Sequence, residues 1–468
     1  MKRIIATLSL ILFVSFSFAQ NIEGDWYGLL KVPGPSLTVV LHLKKGDTGY
    51  TGTMDSPDQN AMGMPMDKVE FSNPRLVISA VRMGMRYEGV YNADSNKISG
   101  VFHQGGLQFP LSLSKNRSLI KAANQPRPQD PKDFPYRQEE VMFTNPKGGH
   151  QLAGTLTLPT NGKAKKIVVL ITGSGPQNRN EEVAAFNHRP FLVLSDWLTR
   201  NGIAVLRYDD RGTAKSTGNF LEATTADFAD DVEAAVNYIG SRPDLKKLSL
   251  GLVGHSEGGI IAPIIAGRNK QVKFIILLAG TGVPSVELLR QQNEDLMRAS
   301  GLPDSTVALN SYIQRIITTT IAGYPDLALP ALKQKISSSL NQGLEPYLKN
   351  NDRTTIDGMI AVAAERSLTK WTRYFIQFNP AVYLSKVKCP VLALNGTLDI
   401  QVKAEPNLAG IKSALEKAGN KNFEIVAMPN LNHLFQKAIT GNVNEYSELT
   451  ETINPEVLNK VSNWIKTL

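Results

Sequence analysis

The sequence predicts two domains: a small all-β domain, sandwich or barrel, followed by a larger α/β domain with a parallel sheet and a helical cap. The 468 residues exceed what one ordinary core accommodates, so two domains are expected. Short runs of alternating apolar and polar residues fill the N-terminal part, a pattern typical of antiparallel strands. Further along, apolar runs alternate with helical patterns, which indicates a parallel sheet covered by helices.

The first 19 residues have the three-part pattern of a secretory signal peptide. Met1-Lys2-Arg3 is followed by an apolar run from Ile4 to Phe18 and by the small residue Ala19. The run is shorter than the roughly 20 residues that a membrane span needs, so no stable span is expected. Cleavage after Ala19 would make the mature protein secreted or periplasmic.

The all-β domain is expected over residues 20–120. Alternating runs extend from Gly24 to Ser114, with turn signals at the spacing of about 8 to 12 residues that small sandwiches and barrels show. Residues 121–136 are rich in proline, which excludes a helix or a central strand and predicts a semi-rigid linker.

The α/β domain is expected over residues 137–468. Its candidate strands are apolar runs: Lys166 to Thr172, Ile203 to Tyr208, Leu248 to Val253, Phe274 to Ala279, Val391 to Asn395 and Phe423 to Met428. From about residue 283 to 380 no such run occurs, and apolar residues recur at helical spacing. This insertion is predicted to be a cap over the carboxyl edge of the sheet, where ligands of open α/β sheets bind.

The candidate nucleophile is Ser256. Gly254-His255-Ser256-Glu257-Gly258 matches the pattern G-x-S-x-G after an apolar strand and before a helical stretch, the setting that this motif requires. The glycines are needed because a β-carbon in so tight a turn would strike the neighbouring strand or helix. The serine is thereby exposed.

The candidate base is His433. A serine hydroxyl needs a base to remove its proton, and among the six histidines only His433 follows the nucleophile. It lies in the loop after the last candidate strand, where the α/β-hydrolase fold needs its base.

The candidate acid that orients His433 is Asp399. It lies at the end of a candidate strand and gives the chain order Ser, Asp, His of this fold. Glu405 is the nearest alternative, but it lies farther from the strand.

Backbone N–H groups of Ser174 and Glu257 are the candidate oxyanion donors. One donor normally belongs to the residue after the nucleophile, and the other to a loop after an earlier strand. Ser174 lies in the glycine-rich loop Thr172 to Pro176, which follows such a strand.

No cofactor or metal ion is expected. The segment Arg207 to Ser216 ends in Lys-Ser like a phosphate loop but lacks its glycine frame, so we interpret it as scaffold. No two histidines have zinc-ligand spacing. A copper site is a weaker interpretation than a packed sheet face for five methionines: Met62, Met64, Met66, Met83 and Met85.

The charge distribution argues against a nucleic-acid partner, and the single cysteine excludes an intramolecular disulfide. The net charge of +9 falls to +7 when Lys2 and Arg3 leave with the signal peptide, and the remaining basic residues are scattered. A nucleic-acid partner is not expected, because its footprint would be a basic patch. Cys389 is the single cysteine, so it forms no intramolecular disulfide and is expected to be a buried thiol.

These motifs resemble bacterial carboxylesterases of the EstD type, within the serine aminopeptidase (S33)-like α/β-hydrolases. The segments that carry the resemblance are Thr172 to Gln177, Arg207 to Gly218, Ala223 to Phe228, Gly254 to Gly259 and Leu392 to Asp399. The resemblance implies the same triad of Ser256, Asp399 and His433, and it places Trp371 at the exit of the cap, beside the acyl pocket. Ala214 departs from the usual Arg-Gly-x-Gly pattern, which leaves the geometry of that loop open.

The leading functional hypothesis is an exported serine hydrolase that cleaves small carboxylic esters through an acyl-enzyme. A serine peptidase or aminopeptidase is the nearest alternative. It would need a carboxylate to hold the substrate ammonium, and Glu257 is the residue that could supply one. A non-catalytic protein that binds a glycan, lipid or peptide is the alternative from another class. The sequence leaves the oligomeric state open.

Overall fold

The computed structural model describes residues 21–31, 36–57, 61–104, 107–116, 127–160, 162, 164–183, 188–348 and 353–468. The predicted signal peptide, with its cleavage site after Ala19, lies outside these ranges, as do residues 121–126 of the predicted linker. Within the described ranges, no helix combines the length and the apolar character that crossing a membrane requires.

The N-terminal part of the chain is an antiparallel β-barrel. Its strands are β1 (Gly24–Leu30), β2 (Leu37–Gly46), β3 (Gly49–Ser56), β4 (Ala61–Pro65), β5 (Lys68–Ser72), β6 (Arg75–Ala80), β7 (Met85–Asn92), β8 (Lys97–Gln104) and β9 (Leu107–Ser114). They pair in the order β2-β1-β9-β8-β7-β6-β5-β3-β4, and β3 also pairs with β2, so that the sheet closes on itself. Trp26 and Tyr87 fill its core. Of the two architectures predicted, the barrel is formed.

The methionines of this part belong largely to its packing. Met85 is buried in the barrel core, and Met64, Met66 and Met83 pack against that core. Met62 is 63% exposed and does not join them.

The C-terminal part contains an eight-stranded mixed sheet. Its strands are β10 (Arg137–Thr144), β11 (Gln151–Leu158), β12 (Lys166–Ile171), β13 (Ala204–Tyr208), β14 (Ser249–His255), β15 (Val272–Leu278), β16 (Val391–Gly396) and β17 (Phe423–Met428). They pair in the order β10-β11-β13-β12-β14-β15-β16-β17, and neighbours from β13 to β17 run parallel. The predicted α/β fold with a parallel sheet is confirmed.

The first two strands of this sheet were not among the predicted ones. β10 and β11 form an antiparallel pair at the edge, joined to the rest through β13. Because no helix separates them, they lack the alternation of strand and helix by which the other strands were predicted.

Helices follow and cover the strands. They are α1 (Pro190–Arg200), α2 (Thr225–Ser241), α3 (Gly258–Ala266), α4 (Ser285–Ala299), α5 (Asp304–Gly323), α6 (Leu329–Asn341), α7 (Glu345–Leu348), α8 (Arg353–Ser367), α9 (Lys370–Ile376), α10 (Ala381–Leu384), α11 (Ala404–Lys417) and α12 (Pro455–Thr467). Alternate side chains of β12 separate the two faces. Ile167 and Val169 join a core with α2, α3 and α11, while Val168 and Leu170 join one with α1 and α12. Burial of the strand on both faces explains its unbroken apolar sequence.

Helices α4 to α9 form the cap between β15 and β16. The cap has a core of its own, in which Ile313, Ile317 and Ile336 are fully buried. Apolar residues at helical spacing therefore produce the helical insertion that the sequence predicts between residues 283 and 380.

Residues 127–136, the described part of the predicted linker, contact the α/β part. The Arg127 guanidinium donates to the carbonyl groups of Leu449 and Glu451, and Asp130 forms an ion pair of 2.8 Å with buried Arg189. Proline fixes the backbone here, but buried polar contacts decide where the segment lies. Such contacts between distant segments are not visible in the local sequence.

Candidate active site

Ser256 lies at a sharp turn between strand and helix. β14 ends at His255 and α3 begins at Gly258, so two residues make the whole connection. The Ser256 backbone has φ = 52°, in the left-handed region that costs a residue with a side chain about 1–3 kcal/mol. Its N–H donates to the Leu278 carbonyl at 2.8 Å, which holds the turn against the neighbouring strand.

The glycines of this turn have no room for a side chain. A β-carbon on Gly254 would lie 2.0 Å from the Gly258 carbonyl oxygen, and one on Gly258 would lie 2.2 Å from the Ile171 carbonyl oxygen. One on Gly259 would lie 2.7 Å from the Gly280 Cα. Glycine is therefore required at these positions for strand, turn and helix to pack together.

His433 and Asp399 form a buried hydrogen-bonded pair. His433 Nδ1 donates to Asp399 Oδ2 at 2.7 Å. The Asp399 side chain is fully buried, and its Oδ1 accepts the N–H groups of Gln401 and Val402 at 2.8 Å each. Since both Asp399 oxygens are held by hydrogen bonds, the carboxylate fixes the orientation of the His433 ring. The other ring nitrogen, Nε2, is then available to accept a proton. Glu405, the alternative acid, is exposed in the first turn of α11.

A cleft of about 470 Å³ brings Ser256 and His433 together. Cap helices contribute Gln292 and Leu296 from α4 and Trp371 from α9, as the resemblance implies for Trp371. Further apolar lining residues are Val183, Pro190, Leu434 and Val443, and further amide side chains are Gln177 and Gln401. Apart from the paired Glu181 and His255, the walls are thus apolar with neutral hydrogen-bonding groups.

Ser174 and Glu257, the predicted oxyanion donors, have free backbone N–H groups. In the part of the chain that the structure describes, neither N–H has an intramolecular acceptor. The adjacent Gly173 N–H, in contrast, donates to Glu181 Oε1 at 2.9 Å. Two unpaired N–H groups, one after the nucleophile and one in the loop after β12, are what the stabilisation of an oxyanion needs.

The segment after β13 holds the loop of Ser174 in place. Asp210 accepts from Thr172 Oγ1 at 2.8 Å and from the Gln177 N–H at 2.9 Å. Arg179 donates to both carboxylate oxygens of Asp209, from Nε at 3.0 Å and from Nη2 at 2.8 Å. Burial raises the pKa of Asp210 well above its ordinary value, although the hydrogen bonds from Thr172 and Gln177 oppose this. The segment is a scaffold, as its sequence indicates.

Ala214 has a left-handed backbone conformation in this scaffold. Its backbone has φ = 48°, the left-handed conformation that a glycine would adopt without strain. Ala214 therefore holds a conformation that is open to glycine, at a cost of about 1–2 kcal/mol.

The Glu257 side chain lies in a buried network and is 3% exposed as a residue. Its Oε1 accepts from Thr225 Oγ1 at 2.6 Å and from Trp371 Nε1 at 2.8 Å, and its Oε2 accepts from Ser174 Oγ at 2.8 Å. Burial raises its pKa, although these hydrogen bonds oppose the shift. The carboxyl connects α2, the cap and the loop of Ser174, so it is not free to hold a substrate ammonium.

Glu181 and His255 are two buried groups of the site that the sequence did not reveal as a pair. His255 Nδ1 lies 2.9 Å from Glu181 Oε1, and its Nε2 lies 3.0 Å from the His433 carbonyl oxygen. The position of His255 directly before the nucleophile could have indicated that it belongs to the site. Nothing in the sequence indicates that Glu181 is its partner.

Comparison with known proteins places this site in a family. The family model described as serine aminopeptidase, S33 (Hydrolase_4) matches residues 163–437. Esterase EstD of Thermotoga maritima is 22% identical over 321 residues, which cover 67% of this chain and 65% of that protein. The uncharacterized protein YfhR of Escherichia coli O157:H7 is 30% identical over 145 residues, 31% of this chain and 47% of that protein. The chain thus spans less than two thirds of the length of each relative.

Two solved structures of esterases also resemble the chain. The Pyrococcus furiosus esterase Pf2001 is 16% identical with a TM-score of 0.42, over 72% of this chain and 93% of that one. Est1E from Butyrivibrio proteoclasticus, with ferulic acid bound, is 19% identical with a TM-score of 0.38, over 70% of this chain and 96% of that one.

Proposed function

Because the chain belongs to the serine aminopeptidase S33 family of α/β-hydrolases, we propose that it is an esterase that cleaves small carboxylic esters through an acyl-enzyme. One observation carries the proposal: Ser256, on its strained turn, shares a cleft with His433, whose Nδ1 donates to buried Asp399 at 2.7 Å. A serine with an oriented base can attack an acyl carbon.

The proposed reaction has two halves. His433 Nε2 takes the proton of Ser256 as the hydroxyl oxygen attacks the ester carbonyl, while Asp399 stabilises the imidazolium that forms. The free N–H groups of Ser174 and Glu257 stabilise the oxyanion. The alcohol then leaves with the proton from His433. Water, activated by the same base, releases the acid and restores the serine.

The lining of the cleft supports a neutral ester as the substrate. Among the described residues that line it, Glu181 is the one carboxylate, and it is paired with His255. Glu257, the anchor that an aminopeptidase could have used, is held by three hydrogen bonds outside the cleft lining. An ammonium would therefore enter the cleft without a free carboxylate partner.

We expect short-chain nitrophenyl esters to be better substrates than aminoacyl nitroanilides. A desolvated ammonium without a partner costs several kcal/mol, so kcat/KM should differ by about 100-fold or more, since 1.4 kcal/mol corresponds to a factor of ten. Steady-state hydrolysis of both series, with nitroacetanilide as a control for the amine leaving group alone, measures the difference. A higher kcat/KM on any aminoacyl nitroanilide than on the best short-chain ester would identify a peptidase instead.

We further propose that the protein acts after export, secreted or periplasmic. The basic start, the apolar run to Phe18 and the small residue Ala19 support this proposal. N-terminal sequencing of the protein recovered outside the cytoplasm should begin at Gln20. A recovered protein that starts with Met1 would contradict cleavage.

A further inference from the structure

A carboxylate and an imidazole outside the proposed triad connect the two loops of the site. Glu181 Oε1 accepts the Gly173 N–H and lies 2.9 Å from His255 Nδ1. On the other side of the ring, His255 Nε2 lies 3.0 Å from the carbonyl oxygen of His433. The chain of contacts thus runs from the loop of Ser174, through the residue that precedes the nucleophile, to the loop that carries the base.

The two partners of His255 fix its protonation. An ionised carboxylate and a backbone carbonyl oxygen are both acceptors, so beside an ionised Glu181 each ring nitrogen carries a proton to bond with them. The side chains of His255 and Glu181 are 10% and 4% exposed, so little water competes for these bonds. The geometry therefore corresponds to an imidazolium paired with a carboxylate.

The backbone of Glu181 is conformationally strained in this arrangement. Its φ is 52°, in the left-handed region, and its N–H donates to the Asn178 carbonyl at 2.8 Å. Strained residues persist where the surrounding structure holds them, and they cluster at functional sites. In this conformation the Glu181 carboxylate contacts both His255 Nδ1 and the Gly173 N–H.

We propose that Glu181 and His255 are positioning residues, which hold the loop of the base and the loop of Ser174 at a fixed separation. The proposal rests on the proposed esterase function. Neither residue needs to touch the reacting atoms, since His255 acts through the main chain of His433 and Glu181 through that of Gly173. A misplacement of catalytic groups by about 1 Å can lower the rate about 100-fold. Contacts that fix the two loops can therefore be retained although the backbone of Glu181 is strained.

Charged and titratable groups face His255 from several elements. They are Glu181 from the loop after β12, Asp399 from the loop after β16, His433 from the loop after β17, and His188 before α1. Burial lowers the pKa of His255, but the charge and hydrogen bond of Glu181 outweigh it, so the pKa lies above its ordinary value. Burial lowers the pKa of His188 to about 3, so this ring stays neutral at working pH.

The sign of the pH dependence follows from this. Below its raised pKa, His255 carries both protons and makes both bonds. As the pH rises through that pKa, one proton leaves and one of the two bonds is lost. The proposal therefore predicts that kcat falls as the pH rises through the pKa of His255. We call this part of the pH profile the alkaline limb.

The test compares Glu181→Gln with His255→Asn on a short-chain nitrophenyl ester. Gln keeps an acceptor oxygen but removes the charge, so the alkaline limb of kcat should move to lower pH by about one unit or more. His255→Asn should lower kcat by about 100-fold with little change in KM, because the loop of the base loses its support. Glu182→Gln, which removes a carboxylate that pairs with Arg189, is the matched control and should leave the pH profile unchanged.

Two outcomes would overturn the positioning role. One is a Glu181→Gln variant that melts at lower temperature but keeps the pH profile of the unaltered enzyme, since this would indicate a structural role alone. The other is measured on the unaltered enzyme, labelled with ¹⁵N at histidine. An NMR spectrum in which the His255 ring is neutral at pH 7 would contradict the proposal. Fluorophosphonate labelling of Ser256 tests the esterase proposal separately, so the failure of one proposal is distinguishable from that of the other.

Discussion

Replacing Ser256 with alanine is expected to lower kcat for ester hydrolysis by about a millionfold, the loss seen when a triad serine is removed. The hydroxyl oxygen is the atom that bonds to the acyl carbon, and among the described residues that line the cleft no other serine lies on a strained turn between strand and helix. The measurement is the steady-state rate of nitrophenyl ester hydrolysis, with the uncatalysed rate subtracted.

The matched control for this change is Ser249→Ala. Ser249 begins the strand that ends beside Ser256, but it does not line the cleft. Both variants should fold, because alanine keeps the β-carbon. If Ser256→Ala retained a tenth of the activity, Ser256 could not be the nucleophile.

Replacing Asp399 with asparagine is expected to lower kcat by about 10,000-fold, with KM little changed. Asparagine can still accept the N–H groups of Gln401 and Val402, which bond to Oδ1 at 2.8 Å. The amide nitrogen then takes the place of Oδ2 and faces His433 Nδ1, where it donates instead of accepting and carries no charge to balance the imidazolium. The imidazole therefore loses its tautomer and its stabilisation, while the fold is kept.

Glu405→Gln separates Asp399 from the alternative acid. Glu405 is exposed on α11, so this change should leave kcat within a factor of two of the unaltered enzyme. A larger loss in Glu405→Gln than in Asp399→Asn would reverse the assignment of the acid.

The candidate triad could be predicted because each member depends on a local pattern or on chain order. The turn around Ser256 needs glycines at fixed positions, and the structure shows backbone oxygens within 2.2 Å of where their β-carbons would be. His433 was reached by elimination among few histidines, and Asp399 by its place after a strand. Parallel strands then bring the ends of β16 and β17 together.

Other features depend on contacts between distant segments, which a single sequence does not reveal. Glu181 and His255 are 74 positions apart, and no spacing rule links them. The choice between barrel and sandwich depended on whether β3 pairs with β2 as well as β5. The docking of Arg127 on the carbonyl groups of Leu449 and Glu451 spans most of the α/β part. Each of these is decided by tertiary packing.

Mapping of a fluorophosphonate adduct tests the central claim most directly. The full-length enzyme is labelled, digested and analysed by mass spectrometry, with Ser256→Ala labelled in parallel. We predict one adduct, on the peptide that contains Ser256 and assigned to that residue by fragmentation, and none on the variant. An adduct on a different serine, or ester hydrolysis that persists in a preparation without any adduct, would contradict the claim that Ser256 is the nucleophile.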